Sequence, residues 1–284
     1  MNELRYVYAV TRPFAAPLPV DLRGVTGSQP YQLRHDGLCA VVSNVSAADF
    51  DADPLKERLE DLDWLSDTAR AHAAVVAALV SLGSPLPLRL ATVCRDDDGV
   101  RRLLDSGRDR FLATLERLDG RVEWGVKVYA RDQGAEPSSR PVRNKDPLDH
   151  APGAGRDFLR RRLGERRREE HTWQSAFTAA RRLHEELSGR AEGARLHRPQ
   201  EARLSGASGQ NVLNAAYLVH RDHSADFIGA VHRLLPNDSG LSGEVTGPWA
   251  PYSFTDDDPT SRAESLDGAR RSDSARTAGE GERR

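Results

Sequence analysis

Residues 246–254 read Thr-Gly-Pro-Trp-Ala-Pro-Tyr-Ser-Phe, and two prolines bracket Trp249. Proline donates no backbone hydrogen bond and is confined to the edges of sheets, so this stretch cannot be a central strand. It nevertheless concentrates three aromatic residues in a chain that is only 6% aromatic. A polar run follows in which Leu266 is the one large apolar side chain from Thr255 to Arg284. The segment is therefore expected to close a packed domain, with Trp249 and Tyr252 anchored in its core. Residues 255–284 are expected to be a disordered tail, too poor in apolar surface to offset the entropy of ordering.

Ahead of that edge, apolar patterning divides the chain in two. Leu4, Tyr6, Tyr8 and Val10 alternate as on a half-buried strand, residues 38–45 form a more continuous apolar strand, and 86–94 reads as another. In 121–129, Val122, Trp124, Val126 and Val128 share one face, with Trp124 a core anchor, while Arg121, Glu123, Lys127 and Tyr129 share the other. Between these runs, Asp53-Pro54 opens an amphipathic helix whose stripe is Leu55, Leu59, Leu62, Leu65, Ala69, His72, Val76 and Leu79. A second helix runs from Val100 to Leu118 and is weakened at Gly107. The expected class is α+β. Residues 1–130 form a ferredoxin-like domain, an antiparallel-rich sheet with helices on one face.

Four prolines and few large apolar groups mark 131–154 as a linker. Residues 155–254 are expected to form a smaller α/β variant with a long helix, striped by Trp173, Phe177, Ala180, Leu183 and Leu187. A strand over 211–220 and a short helix over 225–235 complete it.

Composition excludes several functions. The net charge is −2, which argues against nucleic-acid binding through bulk charge. The N-terminus lacks the basic and apolar regions of a secretory signal, and no apolar run could span a bilayer, so the expected location is the cytoplasm. Cys39 and Cys94 lie in apolar strand-like runs and read as buried hydrophobes in a reducing compartment. His220, Asp222, His223 and Asp226 lack the spacing of a specific metal motif and read as turn residues. Asp96–Asp98 are explained by helix-start chemistry. The arginine run 160–168 is interleaved with Glu165, Glu169 and Glu170 and reads as an ion-paired helix face. No nucleotide-binding or nucleophile-elbow motif occurs. No catalytic centre, metal or cofactor is therefore expected.

Five segments in order resemble the gas vesicle protein GvpL/GvpF family: RYVYAV (5–10), PLPLRLATV (85–93), RVEWGVKVY (121–129), GRDFLRRR (155–162) and TGPWAPYSF (246–254). The resemblance spans roughly residues 4–255. Ala91 departs from it, standing where the family tends to have glycine, and Leu90 stands where an aromatic is common. The resemblance implies two linked α/β domains, the first ferredoxin-like, and a non-enzymatic accessory role in forming gas vesicles, which are gas-filled protein shells. The implied partners are the small hydrophobic shell protein and other accessory proteins, with no nucleic acid and no membrane. The expected contact is the outer face of the first domain's sheet, with Arg89 and Lys127 steering the encounter. The competing expectation is a small-molecule enzyme or ligand-binding regulator that uses a cleft between the domains. The composition of the tail gives a first test: a chain ending at Thr255 should melt at the full-length temperature, and a drop of several degrees would show that the tail is packed.

Overall fold

A computed structural model describes residues 3–130, 163, 173–199, 209–235 and 240–255. The expected linker at 131–154, the arginine run apart from Leu163, and the tail beyond Thr255 lie outside the described residues. Two compact units result, and they interleave along the chain. The first holds Met1–Trp124, Leu218–Ser224 and the described residues from Thr246. The second holds Gly125–Tyr217 and Ala225–Val245. The sequential division at 130 and 155 is therefore not the one drawn by packing: 218–224 and the closing segment pack with the N-terminal residues.

The first unit is built on β1 (Glu3–Thr11), β2 (Tyr31–His35), β3 (Leu38–Ser46), β4 (Leu86–Pro87) and β5 (Val93–Cys94). The sheet order is β2-β3-β1-β4, with β5 also pairing β1, and every pairing is antiparallel. This is the ferredoxin-like strand order, with a loop and a 3-10 turn in place of the first crossover helix. Where one strand was expected over 86–94, β4 and β5 flank a turn. Thr92 N and Oγ1 both donate to the Arg89 carbonyl, at 3.2 and 2.7 Å, and lift the chain off the sheet edge.

A short α1 (Ala47–Phe50) precedes the long helix expected from Asp53, which is also divided, into α2 (Ala52–Arg58) and α3 (Leu62–Val80). Each piece has its own cap: Ser46 accepts from Ala48 N, Asp51 from Ala52 N, and Asp61 from Asp63 N and Trp64 N. The break after Arg58 leaves Leu59 at the end of α2, whereas Leu62 sits on the first turn of α3, on the face that further along buries Val76 and Val80. His72, Val75, Val76 and Leu79 are buried, whereas Leu59 and Leu62 of the expected stripe are exposed. The second helix breaks at Gly107 into α4 (Asp97–Ser106) and α5 (Arg108–Leu118), and Asp96 caps α4 through Gly99 N. Neighbouring side chains on a strand point to opposite faces. Tyr6 hydrogen-bonds His72 of α3 and Arg5 hydrogen-bonds Asp97 of α4, so helices cover both faces of this sheet, not one.

The core of the first unit is an aromatic cluster with polar handles. Tyr6 lies edge-on to Phe50 at 5.8 Å and 4.9 Å from Tyr8, and Phe50 contacts Trp64. Ala91 N donates to Tyr6 Oη at 3.1 Å, which leaves the Tyr6 O–H to donate to His72 Nδ1 at 3.0 Å. Tyr8 Oη accepts from Val25 N at 2.8 Å and shares a 2.7 Å hydrogen bond with Ser43 Oγ. A side-chain carbon at Gly24 would lie 2.1 Å from the Tyr8 oxygen, so that loop can approach only as glycine.

The second unit takes up β6 (Arg121–Ala130) from Gly125 onward, a helix over residues 173–188 (α6), β7 (Gly193–Leu196), most of β8 (Gln210–His220), α7 (Ser224–Leu234) and the start of β9 (Leu241–Trp249). The four-stranded sheet runs in the order β7-β8-β6-β9. Its packing centres on Tyr217, whose ring lies tilted against Phe227 at 5.3 Å and whose hydroxyl bonds His184 Nδ1 at 2.9 Å. Leu183 and Leu187 are buried as expected, but Phe177 is exposed and leaves the stripe.

Two predictions follow from the core of the first unit. Ala91 has φ +62, a left-handed conformation that costs a residue with a Cβ about 1–2 kcal/mol. Allowing for glycine's larger unfolded-state entropy, Ala91→Gly should stabilise by about 0.5–1 kcal/mol in denaturant titrations. A loss of stability would contradict that backbone assignment. Burial lowers the His72 pKa from 6.5 to about 4. Between those values the unfolded state binds a proton that the native state refuses, so stability falls as pH falls through this window. The full loss is about 3 kcal/mol. His72→Asn should flatten the pH dependence of stability there, and an unchanged slope would show that another group carries it.

Candidate interaction site

The closing segment gathers the exposed aromatic surface of the first unit. β9 is an edge strand, where Pro248 is tolerated, and the Gly247–Pro248 peptide bond is cis. Gly247 has φ +135, and a Cβ there would meet the Glu123 carbonyl at 2.8 Å and the Trp124 ring at 2.9 Å. Only glycine lets this turn lie against β6. Beyond it, Ala250 and Phe254 are buried, and residues 252–254 make a 3-10 turn.

Polar contacts fix that turn. The Glu123 carboxylate accepts from Ser253 N and from Ser253 Oγ, each at 2.8 Å, and Arg117 Nη2 donates to the Phe254 carbonyl at 2.7 Å. Burial pushes the Glu123 carboxyl up, opposed by its two Ser253 hydrogen bonds. This raised acid has the opposite sign to His72: its native state holds a proton longer than the unfolded chain does, so it favours stability as pH falls.

Trp124 is buried as expected, and its indole Nε1 donates to Ser224 Oγ at 3.2 Å. The expectation for Trp249 and Tyr252 needs correction, because they are 48% and 41% exposed. The small Ala250 side chain fills the inside position, and its neighbour Trp249 on an extended backbone is directed outward. Tyr252 keeps one flank in solvent while its ring lies 6.3 Å from His72, and burial, then the Glu123 charge, push its hydroxyl up. The segment is anchored by Ala250, Phe254 and the Ser253–Glu123 pair.

The two expected steering charges do not share a strand or a unit. Arg89 is exposed and opens the turn between β4 and β5 in the first unit, whereas Lys127 is half-buried on β6 in the second. The expectation that both lie on the first domain's sheet is thus corrected. His220 and His223 face each other at 5.7 Å beside Asp222, and His220 Nδ1 accepts from Asp222 N. Among the described residues, no group of three or more His, Cys, Asp or Glu side chains could hold a metal ion. A cavity of about 180 Å³, lined by residues including Phe14, Leu79, Leu82 and Leu115, lies in the first unit. It is small beside the roughly 300–1,000 Å³ of typical ligand sites, whereas a more open depression of about 510 Å³ in the second unit is lined by Arg182, Glu185, Glu186, Gly189 and Arg190. No described helix is long and apolar enough to cross a membrane.

Comparison with known proteins agrees with this architecture. The chain is 58% identical over 254 residues to Gas vesicle protein L of Streptomyces sp. (strain CB03234), covering 89% of this chain and 93% of that protein. It is 28% identical to Gas vesicle protein F of the same strain, covering 88% and 99%. The crystal structure of the gas vesicle protein GvpF from Anabaena sp. PCC7120 superposes with a TM-score of 0.61 at 19% identity, covering 90% of this chain and 97% of that one, which supports the fold. The profile described as Gas vesicle synthesis protein GvpL/GvpF matches residues 4–256, nearly the whole described length. The chain belongs to the gas vesicle synthesis protein GvpL/GvpF family.

Proposed function

We propose that this chain is a non-enzymatic accessory factor that binds the small hydrophobic shell protein during gas vesicle assembly and acts in the cell interior, at the growing vesicle. Other accessory proteins of the same assembly are further partners in this reading. The observation that carries it is family membership across residues 4–256. A shell subunit with a large apolar surface aggregates when left free, so its assembly calls for a protein that covers that surface. The exposed Trp249 and Tyr252 rings supply a contact of that kind, because aromatic side chains bury much area at low entropic cost. Arg89 and Lys127 act in this reading as steering charges, which govern the encounter rate more than the affinity.

Co-expression of the full chain with the shell protein tests the proposal. The parent should retain the shell protein. Trp249→Ala should keep native stability to within about 0.5 kcal/mol, as for an exposed side chain. The same variant should lose about tenfold or more in retention. An unfolded Trp249→Ala variant would make the ring a structural anchor after all. Failure of the full chain to retain the shell protein, with normal vesicles in a strain lacking the gene, would overturn the function.

A further inference from the structure

The corner where α2 meets α3 is, among the described residues, an unpartnered surface with a distinctive chemistry. Residues 56–63 are all exposed, and they include Leu59 at 39% and Leu62 at 77%. Around these two leucines, the chain from Asp49 to Asp67 carries eight carboxylates against two cations, Lys56 and Arg58. Arg58 is already engaged by Asp49 at 2.7 Å. Asp67 is likewise paired with Arg70, which leaves six carboxylates around Lys56. Exposed leucines ringed by this net acid favour a partner that brings apolar side chains within a basic frame.

The same chain contains such a segment. Residues 156–168 carry seven arginines against Asp157 and Glu165, with Phe158, Leu159 and Leu163 among them, and the stretch stays net positive even when the Glu169 and Glu170 that follow are counted against it. Leu163 is the described residue of this stretch, and it is 55% exposed. With a net charge of only −2 the whole molecule repels its copies weakly, while these two regions carry opposite charges. We propose that residues 156–168 of one copy dock on the Leu59–Leu62 corner of a second copy, giving head-to-tail self-association. The two surfaces differ, so the contact is heterologous and builds rings or open chains, not an isologous dimer. Leucine burial supplies affinity, and the charge pairing supplies direction and salt sensitivity. This inference does not depend on which protein the closing segment contacts.

Sedimentation of the full chain up to about 100 µM tests it, since an association with a Kd of about 1–10 µM is well populated there. Raising salt from about 50 to about 500 mM should weaken association at least tenfold. Leu59→Ser/Leu62→Ser should abolish self-association without altering the melting temperature, because both side chains are exposed. Arg160→Glu/Arg161→Glu/Arg162→Glu should abolish it as well. Mixed together, the two monomeric variants should form a one-to-one pair, because each retains the half that the other has lost. A parent that stays monomeric at low salt would overturn the proposal. Undiminished association of the leucine variant, or a mixture that does not pair, would overturn it equally.

Discussion

Two tyrosine hydroxyls on one strand organise the first unit. Tyr6 and Tyr8 stand on β1, inside the sheet, and burial holds both phenols neutral. Their oxygens collect a backbone N–H from the turn at Ala91, a backbone N–H from the loop at Val25, the hydroxyl of Ser43 on β3 and the ring of His72 on α3. A sheet edge, a loop, a neighbouring strand and a helix are thereby tied to a single pair of residues. Buried polar groups of this kind are costly when unmatched, so each satisfied partner makes the arrangement harder to leave. Among the described residues His72 Nε2 has no hydrogen-bond partner, which makes the ring the point where this network is most sensitive to a proton.

The closing segment depends on the same region. Tyr252 lies against His72, Ser253 is held by Glu123, and Phe254 is held through its carbonyl by Arg117. Holding this turn by backbone and small side chains leaves Trp249 free to face solvent. The two prolines that bar it from a sheet interior thus serve an outward-facing aromatic edge. An outward-facing aromatic edge of this kind is the surface on which the proposed contact rests.

Much of this was legible in the residues. The alternation in 121–129, the apolar run at 38–45, the acidic cap at Asp96 and the burial of Trp124 all follow from short-range patterns, and the structure reproduces them. The half-buried alternation read in 4–10 does not hold, because β1 is buried on both faces from Tyr6 to Thr11. The ordered family segments pointed to gas vesicles. Where the chain departs from the family at Ala91, the left-handed backbone supplies the reason that glycine suits the position. The Glu123–Ser253 pair left no trace in the sequence, because its members are far apart in the chain and each sits in an ordinary local context.

Sequence by itself therefore determined the element types, the α+β class and the family, since these depend on periodicity, capping and local motif. Tertiary structure decided which side of a pattern is buried. Leu59 and Leu62 continue a helical stripe on paper but are exposed. Leu59 falls at the break between α2 and α3, and Leu62 sits on the first turn of α3, ahead of the stretch of the same face that buries Val76 and Val80. Trp249 has the composition of an anchor, yet the smaller Ala250 takes the inside position. Periodicity specifies that a face is apolar, and only the packing of distant segments specifies whether something covers it.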